Sequence, residues 1–570
     1  MDPRLRRMPA SAEGQSRALR VAWWAAAGLT LGLLPFESRF LLTHVAGVAI
    51  TPLHLAFAAM IGVWLATLVV ERRLPAIPTS LVVALAFGVV VAFLSALLAT
   101  NFNDEAFRFA AITSGGWLLF VVLVDMVRAG RDATFLSSVL VATCTGAAVL
   151  GIVLLALPAE VTVNLLGQDH TVAGARRLQA TFGYPNTAAV AFEAAVFVAA
   201  GLLGVFRERL PRLLIGLAIV FLVLATALTL SRGAVLGLLA GSATLVGVAW
   251  FASRRRLAAR ATAAGAVALL AFLAVQLVAL PIERLWTDSE SDFYGATYDA
   301  PEHIAASYDH PRDVTVTVTN TGNAGWLAGR YRLGYHWLNS VDHGIIEFGH
   351  VGAELGDVPA GGSADVAVPI TRPQARPVLL AWDIQQVGGE WFSERGVPVA
   401  TSEVGSDVPP YHPPHLQTLL LYPALLPEPS RSELWGAAVA MVRDAPLLGV
   451  GPGTYRLRYG TYLGWPEWDE RIHSNNTYLE IGATTGIAGL AVFLFVSLYA
   501  IWRQLRNLAT RPATRGWLLS AGIAAAAVAF AAHGVVDYFL GFTGTQGIYW
   551  AILGIGLGLA LRERRGAEPA

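Results

Sequence analysis

Apolar residues recur along the chain in runs of about twenty, roughly the number an α-helix needs to cross the hydrocarbon core of a bilayer. Twelve runs predict twelve spans, near residues 21–36, 46–70, 79–99, 110–127, 134–157, 186–206, 211–230, 233–252, 260–280, 484–502, 516–534 and 543–561. Between residues 281 and 480 these runs stop, and in the middle of the region the period changes. Val314, Val316 and Val318 alternate there with Thr315, Thr317 and Thr319, the period-two pattern of a half-buried strand. Asn320-Thr321-Gly322-Asn323 follows as a turn, so a β-hairpin is expected. Tyr331–Leu338, Ala364–Ile370, Val378–Ile384 and Val397–Thr401 predict further strands, separated by turns such as Pro359-Ala360-Gly361-Gly362. About 100 residues of such spacing point to a β-sandwich. Pro409 to Pro414 reads as a stiff linker. Beyond it, Ser430-Arg431-Ser432-Glu433 has capping-box spacing and predicts a helix to about Arg443.

The expected fold is thus an α-helical polytopic membrane protein of about twelve transmembrane helices with an inserted extracytoplasmic β-sandwich. Its valine-rich hairpin resembles the immunoglobulin-like (Ig-like) modules of bacterial surface proteins. The expected boundaries are a cytoplasmic N-terminus (1–20), spans 1–9 (21–280), a connector (281–300), the β-sandwich (301–405), an extracytoplasmic helical loop (406–480), spans 10–12 (481–561) and a cytoplasmic tail (562–570).

Composition sharpens the topology. The chain is 55% hydrophobic and 14% charged, and its 40 basic residues are all Arg. Residues 281–480 carry 12 Arg against 25 Asp and Glu, whereas alternate short loops, such as Arg254 to Arg260 and Arg503 to Arg515, are arginine-rich. By the positive-inside rule the long loop is outside and both termini are cytoplasmic. The basic N-terminus is expected to act as a topogenic anchor rather than as a cleaved signal. One cysteine, Cys144, excludes an intrachain disulfide and a cysteine metal cluster, and its place within a span reads as packing.

Chemistry is concentrated at the boundary between water and lipid. His473-Ser474-Asn475-Asn476-Thr477-Tyr478-Leu479-Glu480 puts an imidazole and two carboxamides directly before a span. Histidine titrates near neutrality and can take a proton from a hydroxyl. Arg177, Arg232 and Arg431 fall on the outer side close to spans, where arginine is disfavoured. Three guanidiniums around one cavity at the membrane edge suit a lipid-linked diphosphate, against a bland reading of snorkelling or surface ion pairs. Gly449-Val450-Gly451-Pro452-Gly453 reads either as a phosphate cradle or as a tight turn. Glu193, His54 and His533 lie within spans, where ionisable groups are functional candidates. Asp537 follows span 11 and is a candidate partner for one of the arginines. His336, His343 and His350 are seven apart, a spacing that alternates faces in a strand and argues against a shared metal.

These motifs together resemble the O-antigen ligase and Wzy-type polymerase superfamily. Arg177 to Asn186 is similar to the family's arginine stretch ending in Phe-x-x-Pro-Asn, and Ser231-Arg232-Gly233-Ala234 to its Ser-Arg-Gly motif. Arg431 to Tyr455 resembles the segment before the family's histidine, and His473 to Gly489 its histidine signature. The resemblance implies a metal-independent, inverting glycosyltransferase in a bacterial cytoplasmic membrane, with undecaprenyl-diphosphate-linked glycan as donor. It implies that His473 assists the acceptor hydroxyl while Arg177, Arg232 and Arg431 hold the diphosphate. Asn475, Asn476 and Tyr478 are then expected to orient the histidine or bind sugar. The acceptor is left open as a glycan, lipid or protein hydroxyl, with membrane lipids as surroundings and no nucleic acid. No cofactor is implied. The inserted β-domain departs from the family pattern and leaves open a glycan holder, a cover or a spacer. A lipid-linked oligosaccharide flippase and a non-catalytic assembly protein displaying the β-domain are the alternatives. A flippase is expected to show internal repeats, and none is evident here.

Overall fold

The architecture is that of a computed structural model. Its described residues run from Ala10 to Arg565, apart from 40, 41, 46, 47, 131, 158–160, 163, 164, 166–169, 173, 174, 253, 280–292, 306–310, 340–342, 372–377, 388–390, 406–417, 422–428 and 511–514. The expected linker at 409–414 lies outside them.

The first nine long helices are α1 (Ala10–Leu33), α2 (Pro52–Glu71), α3 (Thr79–Leu98), α4 (Asn103–Arg128), α5 (Ala133–Ala156), α6 (Pro185–Leu202), α7 (Arg209–Leu228), α8 (Gly233–Phe251) and α9 (Arg255–Ala279). Two short helices follow the β-region, α10 (Arg431–Asp444) and α11 (Tyr459–Leu463). The last long helices are α12 (Thr477–Thr510), α13 (Arg515–His533) and α14 (Thr543–Arg565). Twelve of these helices are long and apolar enough to cross a membrane, in the places the sequence predicts, and the chain is a multi-pass membrane protein.

Local chemistry starts several of them. Asp132 caps α5 by accepting the amides of Thr134 (2.9 Å) and Phe135 (3.2 Å). Pro52 and Pro185 open α2 and α6, where a missing N–H costs nothing. Packing then decides position: α14 is wholly buried through its apolar window, whereas only 11% of the α9 window is. Trp550 of α14 makes edge contacts to Trp117 and Phe120 of α4. At one end of the bundle the buried Asp125 carboxylate takes Trp64 Nε1 at 2.9 Å, Arg73 at 2.7 Å and the Ala76 amide at 2.7 Å. These three donors, one of them a guanidinium, hold the carboxylate in place. Cys144 is buried in α5, as expected of a packing residue.

Two small hairpins join helices, β1 (Thr43–Val45) with β2 (Val48–Ile50), and β3 (His170–Val172) with β4 (Ala175–Arg177). The inserted domain holds β5 (Ala296–Asp299), β6 (His303–Ala305), β7 (Arg312–Asn320), β8 (Tyr331–Asn339), β9 (Ile345–Glu354), β10 (Ser363–Ile370), β11 (Val378–Gln386), β12 (Val399–Gly405) and β13 (Thr418–Leu419). One sheet has the order β10-β7-β5, the other β13-β12-β11-β8-β9, with β6 parallel beside β12. Val314, Val316, Val318, Val366 and Val368 from the first sheet share one core with Leu333, Trp337, Leu380, Trp382 and Ile384 from the second. This is a two-sheet sandwich.

The hairpin expected after Val318 does not form: β7 pairs with β10 and β5, and the next strand, β8, belongs to the other sheet. The reason lies in burial and in the turn. β7 buries only its valine face, whereas Leu333 to Leu338 of β8 are buried on both faces, so β8 needs strands on each side and cover above and below. Asn320 makes the crossing by donating Nδ2 to the carbonyls of Ala324 (2.8 Å) and Val358 (3.3 Å) and accepting the Gly322 amide (3.0 Å).

Candidate active site

Several interhelical turns meet at the end of the bundle that carries the β-domain. The Arg177 segment and the Ser231-Arg232 turn are zipped together: Leu178 N donates to Leu228 O at 2.9 Å, and Arg177 Nε donates to Thr229 O at 2.9 Å. Arg177 Nη2 reaches Asn186 Oδ1 at 2.5 Å, at the start of α6, and the guanidinium lies 5.6 Å from the Tyr184 ring centroid. Arg177 is only 4% exposed, so much of its donor capacity fastens these two segments to each other.

Asn186 passes the connection on by hydrogen-bonding Asp537, in the turn between α13 and α14. Burial pushes the Asp537 carboxyl up from its ordinary range, against the opposing pull of Arg431, the Tyr538 amide, Asn186 and Arg177. Arg177 and Arg431 both act electrostatically on Asp537. Arg431 reaches it from the first turn of α10. The expected capping box holds that turn, with Ser430 N donating to Glu433 Oε2 at 2.8 Å and Ser430 Oγ accepting Glu433 N at 3.3 Å.

The turn between α13 and α14 also receives the histidine segment. Thr477 N donates to Gly534 O (2.8 Å) and Asp537 O (3.0 Å), and its Oγ1 to Asp537 O (2.9 Å). Asn476 Nδ2 donates to Val535 O at 2.8 Å, while its Oδ1 accepts the amides of Tyr478 and Leu479, both at 3.0 Å, and so caps α12. Tyr478 OH donates to Ala531 O at 2.7 Å. The polar atoms of Asn476 and Tyr478, expected to orient the histidine or bind sugar, are engaged with backbone. Asn475 has a left-handed backbone (φ 51°), which asparagine tolerates better than most residues, and its side chain is half-buried.

His473 faces an aromatic wall, its ring 4.9 Å from Tyr538 and 6.2 Å from Phe542. Its Nδ1 is 2.7 Å from Glu480 Oε1, and the other carboxylate oxygen accepts Ser474 N at 2.7 Å. Glu480 is 1% exposed, so the carboxylate fixes the ring from behind. The pairing turns Nε2 to the side of Gly541. Sequence reasoning did not single out Glu480. The signal was its place in the first turn of α12, seven residues after His473, close enough for a helix start to fold back on.

The glycine-rich segment before the histidine is a packing device. Val450 N and Gly451 N donate to the carbonyls of Ala483 and Thr484, both at 3.0 Å, and Ile487 N donates to Pro446 O at 2.8 Å. These bonds satisfy α12 where it breaks: Gly486 has φ 68° and ψ −175°, and a side chain there would collide with the backbone of Leu447 and Leu448. Of the two readings of this segment, the tight turn is the one observed. His54 is elsewhere, with Nδ1 3.2 Å from the Thr51 amide at the start of α2.

The β-domain touches this region directly. Phe293 and Ala324, at its base, are buried together with Val172 of β3 and with Leu230, two residues before Arg232.

No curated protein matches the chain. Residues 428–494, which contain α10, the glycine-rich turn, His473, Glu480 and the break in α12, match a family model described as O-Antigen ligase. Over this segment the chain is similar to that family.

Proposed function

We propose that the protein transfers a glycan from a lipid-linked diphosphate, of the undecaprenyl diphosphate class, to an acceptor hydroxyl at the outer face of a bacterial cytoplasmic membrane. The observation that carries the reading is the His473–Glu480 pair, 2.7 Å apart within the matched segment and bonded to the turn that holds Asp537. In the proposed step His473 Nε2 takes the proton of the acceptor hydroxyl as its oxygen bonds to the anomeric carbon. The bond from that carbon to the diphosphate breaks, and the configuration inverts. Glu480 holds the tautomer and stabilises the imidazolium that forms. Arg431, Arg232 and the remaining N–H donors of Arg177 neutralise the departing diphosphate, so its expulsion needs no metal. Asn475 is assigned to the sugar or the histidine, and Asn476 and Tyr478 to holding the histidine segment in place.

The test is deletion of the gene in its native host, with complementation by wild type or His473→Ala. Surface glycan and lipid-linked intermediates are followed by gel and mass spectrometry. Glycosyl transfer predicts lipid-linked glycan accumulating outside and loss of a polymer or conjugate that His473→Ala does not restore. The missing product names the acceptor. Full rescue by His473→Ala, or intermediates trapped inside, overturns the reading in favour of an assembly protein or a flippase.

A further inference from the structure

Two of the intramembrane ionisable residues meet. Glu193 of α6 and His533, the last residue of α13, are both 0% exposed, with Nδ1 3.0 Å from Oε1. Their other atoms, Glu193 Oε2 and His533 Nε2, are buried and have no hydrogen-bond partner among the described residues. Ionisable groups are costly at such a depth, and a pair that only stabilised the fold would be bettered by apolar side chains of the same size. The surroundings show what the pair touches. α8 presents two glycines to it: a side chain at Gly233 would collide with His533 Nε2, and one at Gly237 with the Glu193 carboxylate. Gly233 directly follows Arg232, so the pair supports the backbone that carries this guanidinium. From His533 the chain continues into the turn 534–537, whose carbonyls receive Asn476 and Thr477 from the histidine segment and which ends at Asp537. Arg431 acts electrostatically on both His533 and Asp537.

We infer that Glu193 and His533 form a positioning dyad, the joint that fixes the Arg232 turn, the Asp537 turn and the His473 segment relative to one another. It touches no substrate and acts through Gly233 on one side and the 534–537 turn on the other. The inference rests on the proposed transferase reading and names two positioning residues for that reaction. Tight tolerance is the physical reason: displacing a charge-stabilising group by about 1 Å costs on the order of 10²-fold in rate.

The experiment compares initial rates in membranes supplied with lipid-linked glycan extracted from the deletion strain, and melting temperatures of the purified variants in detergent. Glu193→Gln, which keeps the shape, is expected to lower kcat/KM roughly 10- to 100-fold with melting temperature nearly unchanged. His533→Ala is expected to lower it as far and to lower the melting temperature as well, because it leaves a cavity and the Glu193 carboxyl without its partner. His533→Asn, which keeps a polar group near the Nδ1 position, is expected to recover part of both losses. Gly233→Ala is expected to be as damaging as His533→Ala, and to add little in the His533→Ala background, because the collision is then gone. If His533→Ala does not accumulate, Glu193→Gln and Gly233→Ala give the same reading. Wild-type rates in the dyad variants, or strictly additive losses, overturn the dyad while an inactive His473→Ala leaves the transferase reading intact. An active His473→Ala removes that reading first, whatever the dyad variants do.

Discussion

At the scale of single residues the site is a set of polar groups held by specific partners. His473 and Glu480 are the clearest case, because the carboxylate has two acceptor atoms and each is used, one on the ring and one on the Ser474 amide. Glu480→Gln keeps the shape but offers the ring an amide that matches either tautomer. A loss of kcat on the order of 10²-fold is expected, with donor KM little changed, measured as initial rates in membranes. Asp537 supplies a pH-dependent counterpart. Its carboxyl is held above the ordinary range by burial, so the fold favours the protonated form. That stabilisation is present below about pH 4 and is lost as pH rises through the raised value. Asp537→Asn carries no charge to bury, so its melting temperature relative to wild type is expected to improve as pH rises above about 4. A gap that stays constant with pH would contradict this.

At the scale of elements, the break in α12 organises the site. The two turns that carry Thr477 to Thr485 precede a left-handed glycine, and the 446–451 segment fills the gap by backbone hydrogen bonds. Gly486→Ala adds a side chain where the Leu447 backbone already lies and where φ is positive, so about 1–3 kcal/mol of stability is expected to be lost. Thermal melting of the purified protein checks it; an unchanged melting temperature would mean that the break tolerates a side chain. The hydrophobic pattern located α12 near 484–502 because only the part beyond the break is continuously apolar. Its first turns, which hold Tyr478 and Glu480, read as loop in the sequence because their polar groups are satisfied by distant carbonyls such as Ala531 O. β9 escaped detection for a similar reason. Ile345 to Glu354 does not alternate, its residues are largely exposed, and its register to β8 shifts at bulges.

At the scale of the whole molecule, the β-domain and the membrane bundle share a small core of Phe293, Ala324, Val172 and Leu230 next to the Arg232 turn. The proposed topology is testable without substrate: alkaline phosphatase fused after Gly356 is expected to be active, and after Arg254 inactive, with the reverse outcome inverting the proposed orientation. The spans, the two-sheet insertion and the capped helix at Ser430 were determined by the sequence alone. Each is encoded locally, in a run of apolar residues, a period of two or a short motif. The tertiary structure set β8 across from β7 rather than beside it, and it alone decided which far-apart residues meet: Asn186 with Asp537, and Glu193 with His533. Those choices depend on buried polar atoms finding partners hundreds of residues away, as Glu193 does 340 positions from His533, and no local pattern carries that information.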